Sequence, residues 1–283
     1  MTKNNSINGN YIAALDIGTS KVVCLIGSIS DSHSIEIVAM GSYPSSGLKK
    51  GVVVNIDATT DAIQKSIEQA KNSFEGKIKN VFVGIAGNHI KSLNSHGIVG
   101  IKDKEVTQLD IEKVIDAAQA VAIPSDQRVL HVLPQEFVID DQDAIREPLG
   151  MSGVRLESHV HLVTCANNAI QNIEKCVKRC GIGIDGFVLE QLASSYSILS
   201  NDEKELGVCI VDIGGGTTDI AIFNNGSICF TGVIPIAGDQ VTSDIAVALR
   251  TPTPQAEELK QNFGCAVSEF TKEADSIEVA GVG

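Results

Sequence analysis

The triplet Asp-Ile-Gly occurs twice, each time where one short apolar run breaks and another resumes: Asp16-Ile17-Gly18-Thr19-Ser20-Lys21, and far downstream Asp212-Ile213-Gly214-Gly215-Gly216-Thr217-Thr218-Asp219. Residues 11–15 and 22–26 flank the first, and residues 208–211 and 220–223 flank the second. Short apolar runs bounded by glycine read as strands, so each motif is a tight corner between two buried strands.

One such triplet is an ordinary hairpin corner. Two, in matching strand contexts, point to a pair of phosphate-binding corners facing each other. Gly18, Gly214, Gly215 and Gly216 let the backbone approach a ligand, so that successive N–H groups converge on an anion. The hydroxyls of Thr19, Ser20, Thr217 and Thr218 add donors, and Lys21 adds a point charge within reach of a phosphate. A carboxylate beside a phosphate repels it, and an uncompensated buried ion costs several kcal/mol. Asp16 and Asp212 therefore imply a cation, and hard oxygen ligands with room for water select Mg²⁺ riding on the phosphates of a nucleotide. Neither motif is a P-loop, which needs G-x-x-x-x-G-K-[ST].

The 283 residues suit about two domains, and 43% hydrophobic content is that of a globular protein. The 35 acidic residues outnumber 22 basic ones, for a net charge of −13 with no run of Lys or Arg, which argues against a nucleic-acid partner. Residues 1–10 lack the features of a secretory signal, and no stretch is long enough to span a membrane, so the chain reads as cytosolic. The seven cysteines read as buried reduced thiols. Cys176 and Cys180 lie one helical turn apart, without the partners a metal or redox site needs.

Residues 1–86 read as the first part of one module: three strands, a Gly/Ser/Pro turn region over 41–51, a helix and a further strand. That helix carries Ile63, Ile67, Ala70 and Phe74 on one face, with Asp57 or Thr60 as its cap. From residue 87 the texture becomes more polar, and residues 87–161 read as an inserted small α+β domain. It has short strands at 98–101, 129–133 and 137–139, and a helix that opens on the capping box Thr107/Asp110 and stops at Pro124. Its histidines, with His131, His159 and His161 among them, are scattered without a cysteine or carboxylate cluster.

Residues 162–204 complete the first module, with a helix capped by Asn167 and ended by Gly181, then a strand, then a linker helix from Glu190. At that strand-to-helix junction Glu190 has two readings: a general base aligning a water on a terminal phosphate, or a carboxylate favouring the positive end of the helix. Residues 205–283 repeat the module. Gly238 and Thr242 open one helix, Thr253-Pro254 starts the next with the proline at its first position, and Glu257 and Lys260 share a face of it as a solvated ion pair.

Residues 16–21, Arg128-Val129-Leu130-His131-Val132-Leu133-Pro134-Gln135-Glu136, the run 150–156, Leu192-Ala193-Ser194-Ser195-Tyr196 and residues 211–220 resemble the FtsA family of bacterial cell-division proteins, within the actin, Hsp70 and sugar-kinase superfamily. The resemblance implies an α/β, actin-like (ribonuclease H-like) fold of two duplicated modules with an inserted domain, the second module incomplete here. It implies an ATP-binding protein, at most a weak ATPase, that ties polymers of the tubulin-like protein FtsZ to the cytoplasmic membrane at the division septum. The inserted domain would serve self-association into filaments and recruitment of later division proteins. By the same resemblance Asp16 and Asp212 match the Mg²⁺-associated aspartates, Gly214 to Thr218 the second phosphate loop, and Glu190 the position that orients the attacking water. Gly238, Glu257 and Lys260 join the nucleotide-contacting set, the last two beside the adenosine. Family members continue beyond the equivalent of Gly283 to a second Gly-rich segment for adenine and a C-terminal helix that lies on the membrane, so the chain is expected to be a shortened form. The alternative within the superfamily is a phosphotransferase acting on a small hydroxylated substrate; no acidic motif besides Glu190 offers the catalytic carboxylate it needs.

Overall fold

The computed structural model describes residues 11–30, 34–270, 276, 277 and 279; residues 1–10, read above for a targeting signal, lie outside these. The chain opens with β1 (Tyr11–Ile17), β2 (Lys21–Ile29), β3 (Ile35–Pro44), a small hairpin of β4 (Leu48–Lys49) and β5 (Val52–Val53), helix α1 (Ile56–Lys71) and β6 (Asn80–Ile85). There follow β7 (Ile90–Gly100), α2 (Gln108–Gln119), β8 (Gln127–Ile139), β9 (Gln142–Ile145) and β10 (Arg155–Ala166), then α3 (Asn167–Arg179), β11 (Gly183–Leu189), α4 (Glu190–Ile198) and α5 (Asn201–Leu206). The last part comprises β12 (Val208–Ile213), β13 (Thr218–Asn224), β14 (Ser227–Ile234), α6 (Gly238–Leu249) and α7 (Thr253–Phe263).

Three sheets organise these elements. The first has the order β11-β6-β1-β2-β3, with β6 parallel to both of its neighbours and β1 to β3 antiparallel. Helix α1 turns Ile63, Ile67 and Ala70, spaced three and four apart, onto this sheet, where they are fully buried. Each isoleucine so buried contributes about 2 kcal/mol. The helix lies so close to β3 that a Cβ at Gly41 would collide with the Ser66 carbonyl, so the packing requires glycine there. The cap of α1 is Asn55, which accepts from the Ala58 N–H at 3.1 Å, in place of Asp57 or Thr60.

The inserted region forms a second sheet, β7-β10-β8-β9, with α2 across it. The same device recurs here: Gly97 on β7 meets the Val114 carbonyl of α2 with no room for a Cβ. The capping box Thr107/Asp110 opens α2. The two short strands read at 129–133 and 137–139 are one long strand, β8, whose register against β10 slips beside Pro134. The break read between residues 161 and 162 falls inside β10. Its Leu156, Val160 and Leu162 pack within the insert, whereas Val163 and Cys165 belong to the main core.

Asn167 is the first residue of α3 rather than its cap; its side chain donates to the Ser125 carbonyl instead. Pro254 is the second residue of α7, not the first. The third sheet, β12-β13-β14, is antiparallel, and α6 and α7 pack against each other beside it.

Side chains of the insert cover the outer edge of β14. Ser92 Oγ donates to the Thr231 carbonyl at 3.1 Å and Asn94 Nδ2 to the Cys229 carbonyl at 3.2 Å. His161 is 1% exposed; its Nδ1–H donates to Asn94 Oδ1 at 2.7 Å and its Nε2 accepts from the Thr231 hydroxyl at 3.0 Å, which is the pattern of a neutral imidazole. Burial depresses its pKa from 6.5 to about 4, and does the same at His89. A base whose folded pKa lies below its unfolded one stabilises the fold fully above the unfolded value and loses that contribution as pH falls toward the folded value. Urea unfolding should therefore show a stability loss of about 2 kcal/mol for His161 between pH 7 and pH 5. His161→Gln should flatten that slope, and an unchanged slope would refute the assignment.

Candidate functional site

The two Asp-Ile-Gly corners have the same build. In the first, Ile17 pairs with Val22 and the Gly18 N–H donates to the Lys21 carbonyl at 3.0 Å; in the second, Ile213 pairs with Thr218 and the Gly214 N–H donates to the Thr217 carbonyl at 2.9 Å. They also meet. A Cβ on Gly215 would stand 3.2 Å from Ser20 Cβ, and one on Gly216 would stand 2.8 Å from Thr19 Oγ1 and 2.9 Å from Lys50 Cα. Thr19 is itself tied to the β4–β5 turn, accepting from the Gly51 N–H at 3.1 Å. The N-terminus of α6 is pinned to the second corner, the Gly238 N–H donating to the Gly214 carbonyl at 3.1 Å and the Asp239 N–H to the Gly215 carbonyl at 2.8 Å.

Between the corners lies a cavity of about 530 Å³. Asp16, Gly18, Thr19, Ser20 and Lys21 line it from the first corner, and Asp212 and Gly214 to Thr217 from the second. Glu190 stands on its floor, with Gly238, Glu257 and Lys260 on the far wall. Thr218 is not brought in: its hydroxyl donates to the Ile236 carbonyl at 2.8 Å. Strand parity explains this. Asp212 and Asp219 are direct partners across the hairpin and share the crevice face, so the adjacent Thr218 must face the other way.

The same parity identifies a residue that motif reading left without a role. Asp219 lines the cavity, is 5% exposed and accepts from Gln191 Nε2 at 3.2 Å. Asp239 lines the cavity as well. The carboxylates repel one another. Burial, then Asp16, Asp219 and Asp212, push the Glu190 carboxyl well above its ordinary range. Asp16 is raised by desolvation and by Asp212, with Lys21 opposing, and Asp219 is raised by burial and Asp212 against hydrogen bonds from Thr217 and the Gly87 N–H. The Glu190 side chain lies against Gly84 of β6, where an added Cβ would stand 3.2 Å from its Cγ and 3.3 Å from its Oε1.

On the far wall, Lys260 Nζ lies 2.7 Å from Glu257 Oε2 and 2.9 Å from Thr242 Oγ1, and the Thr242 hydroxyl donates to Glu257. Those contacts, Lys260 first, draw the Glu257 pKa down to about 2. The pair is thus built into the wall rather than freely solvated. Among the described residues no three carboxylate, imidazole or thiol groups form a ready-made metal cage. Asp16 and Asp212 fit a cation that takes its other ligands from phosphate and water. A second cavity, of about 540 Å³, opens at the seam between insert and third sheet, walled by Asn94, Gln135 and the ion pair Arg146–Glu205 at 2.5 Å. It contains neither glycine corner, so the anion-binding chemistry points to the first.

Residues 87–164 match the model of the SHS2 domain inserted in FtsA, and residues 209–283 match the model of cell division protein FtsA. The chain is 63% identical over 276 residues to cell division protein FtsA of Pseudomonas aeruginosa, covering 98% of this chain. The chain belongs to the FtsA family. FtsA of Neisseria meningitidis is 51% identical over 273 residues, covering 96% of this chain. The chain spans 66% of the length of each of these two FtsA proteins. A solved structure of the PilM–PilN type IV pilus biogenesis complex matches with a TM-score of 0.68 at 15% identity, covering 89% of this chain and 70% of that one, a likeness of fold. The architecture is actin-like: a mixed α/β fold that carries the SHS2 insert of the FtsA family. Among the described residues no helix is long and apolar enough to cross a membrane.

Proposed function

We propose that this chain binds Mg²⁺·ATP between the two corners and works as a nucleotide-dependent adaptor in bacterial cell division. The observation that carries the reading is the pair of like-built glycine corners facing each other across one cavity lined by four carboxylates, Asp16, Glu190, Asp212 and Asp219, in which burial and Asp212 raise the pKa values of the other three. Backbone N–H groups of the corners, with Thr19, Ser20 and Lys21, hold phosphate oxygens. Asp16 and Asp212 hold the cation, which when bound neutralises phosphate charge. Glu190 orients a water for slow hydrolysis of the terminal phosphate, its carboxyl raised well above the ordinary range by burial and by the neighbouring Asp16, Asp219 and Asp212. Glu257 and Lys260 border the nucleoside.

Names of the relatives support the cell-division role. In it the protein links FtsZ polymers to the cytoplasmic face of the inner membrane, self-associates, and recruits later division proteins through the insert. Nucleotide binding across the crevice alters the surfaces offered to neighbouring subunits and to FtsZ by favouring one relative placement of the modules. In co-sedimentation, the full-length protein with Mg²⁺·ATP should pellet with FtsZ polymers; no FtsZ binding by the full-length protein would remove this reading.

A further inference from the structure

The strand that carries His131 belongs to the insert, yet its first half lies along the main sheet. In that sheet β11 is the outermost strand, and β8 runs beside its free edge. Leu130 and Leu133 of β8 pack on the main core, and the Arg128 guanidinium stands 5.7 Å from the Phe187 ring centroid of β11. Two residues further along β11, the Leu189 N–H donates to His131 Nε2 at 2.9 Å. Leu189 is the N-cap of α4, and Glu190 is that helix's first residue. No side chain caps α4. The hydrogen bond from Leu189 to the insert therefore holds the backbone at the point where the chain turns from strand into helix, one residue before the carboxylate.

Resting on the reading of Glu190 as the water-orienting group, we propose that His131 is a positioning residue for it, and that the insert sets the placement of Glu190 through this contact. The Glu190 side chain lies against Gly84, and His131 holds the backbone one residue before it. The bond requires an imidazole with an unprotonated Nε2, which burial of His131 favours. Loss of the acceptor leaves a part-buried N–H without a partner and frees the junction to shift, and a displacement near 1 Å of a catalytic group lowers rates by up to about a hundredfold.

The test compares His131→Leu, His131→Gln and Glu190→Gln in the full-length protein with Mg²⁺·ATP. The glutamine at 131 returns an acceptor oxygen close to the place of Nε2. His131→Leu should lower kcat about tenfold or more while KM for ATP stays within about threefold, and His131→Gln should restore most of the rate. A measurement independent of turnover is the scalar coupling across the hydrogen bond between the Leu189 amide nitrogen and His131 Nε2, by NMR on ¹⁵N-labelled protein; it should be detectable in the parent. Absence of that coupling, or an unchanged kcat in His131→Leu alongside a reduced one in Glu190→Gln, overturns the proposal. If Glu190→Gln is itself silent, the water-orienting reading fails, and the coupling still decides whether His131 holds the junction.

Discussion

Asp212→Ala should weaken Mg²⁺·ATP binding about a hundredfold, close to 2.7 kcal/mol, while the ligand-free protein unfolds at the same temperature or a higher one. The two halves of this result have one electrostatic cause. Asp212 raises the pKa values of Asp16, Asp219 and Glu190, so in the empty crevice it acts as a repulsive charge. Its removal relieves that repulsion, and only with the cation present does its loss become costly. Titration calorimetry with Mg²⁺ should show the weakening; with EDTA, ATP should bind no worse than to the parent. Equal affinity in Mg²⁺ would refute the assignment of Asp212, and a parallel fall in thermal stability would mark a folding defect instead.

Gly216→Val should abolish nucleotide binding and lower the melting temperature by several degrees. The first branching carbon would stand 2.8 Å from Thr19 Oγ1 and 3.0 Å from the Lys50 nitrogen, so the second corner must leave the first. Lys50 cannot readily give way, because it and Gly51 form a turn with positive φ at both residues, held to Thr19 by a hydrogen bond from the Gly51 N–H to the threonine hydroxyl. Overpacking of this kind costs about 1–3 kcal/mol, or roughly 2–4 °C for each kcal/mol in a chain of this size class. Gly100→Ala is the control, since a Cβ there meets nothing within 4 Å. Differential scanning calorimetry and ATP titration on both variants check the pair; a Gly216→Val protein that still binds ATP would show that contact between the corners is dispensable.

What the sequence disclosed was local chemistry. A glycine corner between apolar runs is written in a few adjacent residues, and so is the capping box of α2, which is why both stand where the residues place them. Another such box, Ser200 with Glu203, opens the short helix α5 in the linker. The cap of α1 went to Asn55 because only the structure shows which of several polar residues keeps extended backbone geometry. Thr218 and Asp219 exchanged importance through strand parity, which depends on the register of β12 against β13. The histidines were opaque for a further reason. His131 finds Leu189 across 58 residues of sequence and His161 finds Thr231 across 70, and no periodicity encodes contacts of that range. The Glu257–Lys260 pair shows how far spacing reaches: three residues apart predicts an ion pair, but Thr242 from another helix makes it part of a cavity wall.

The central claim is that both corners grip one nucleotide, and amide NMR during a titration of Mg²⁺·ATP tests it most directly. The N–H resonances of Gly18 and Gly215 should shift together, along curves that give one dissociation constant. A shift at one corner with the other unmoved at saturation would contradict the account.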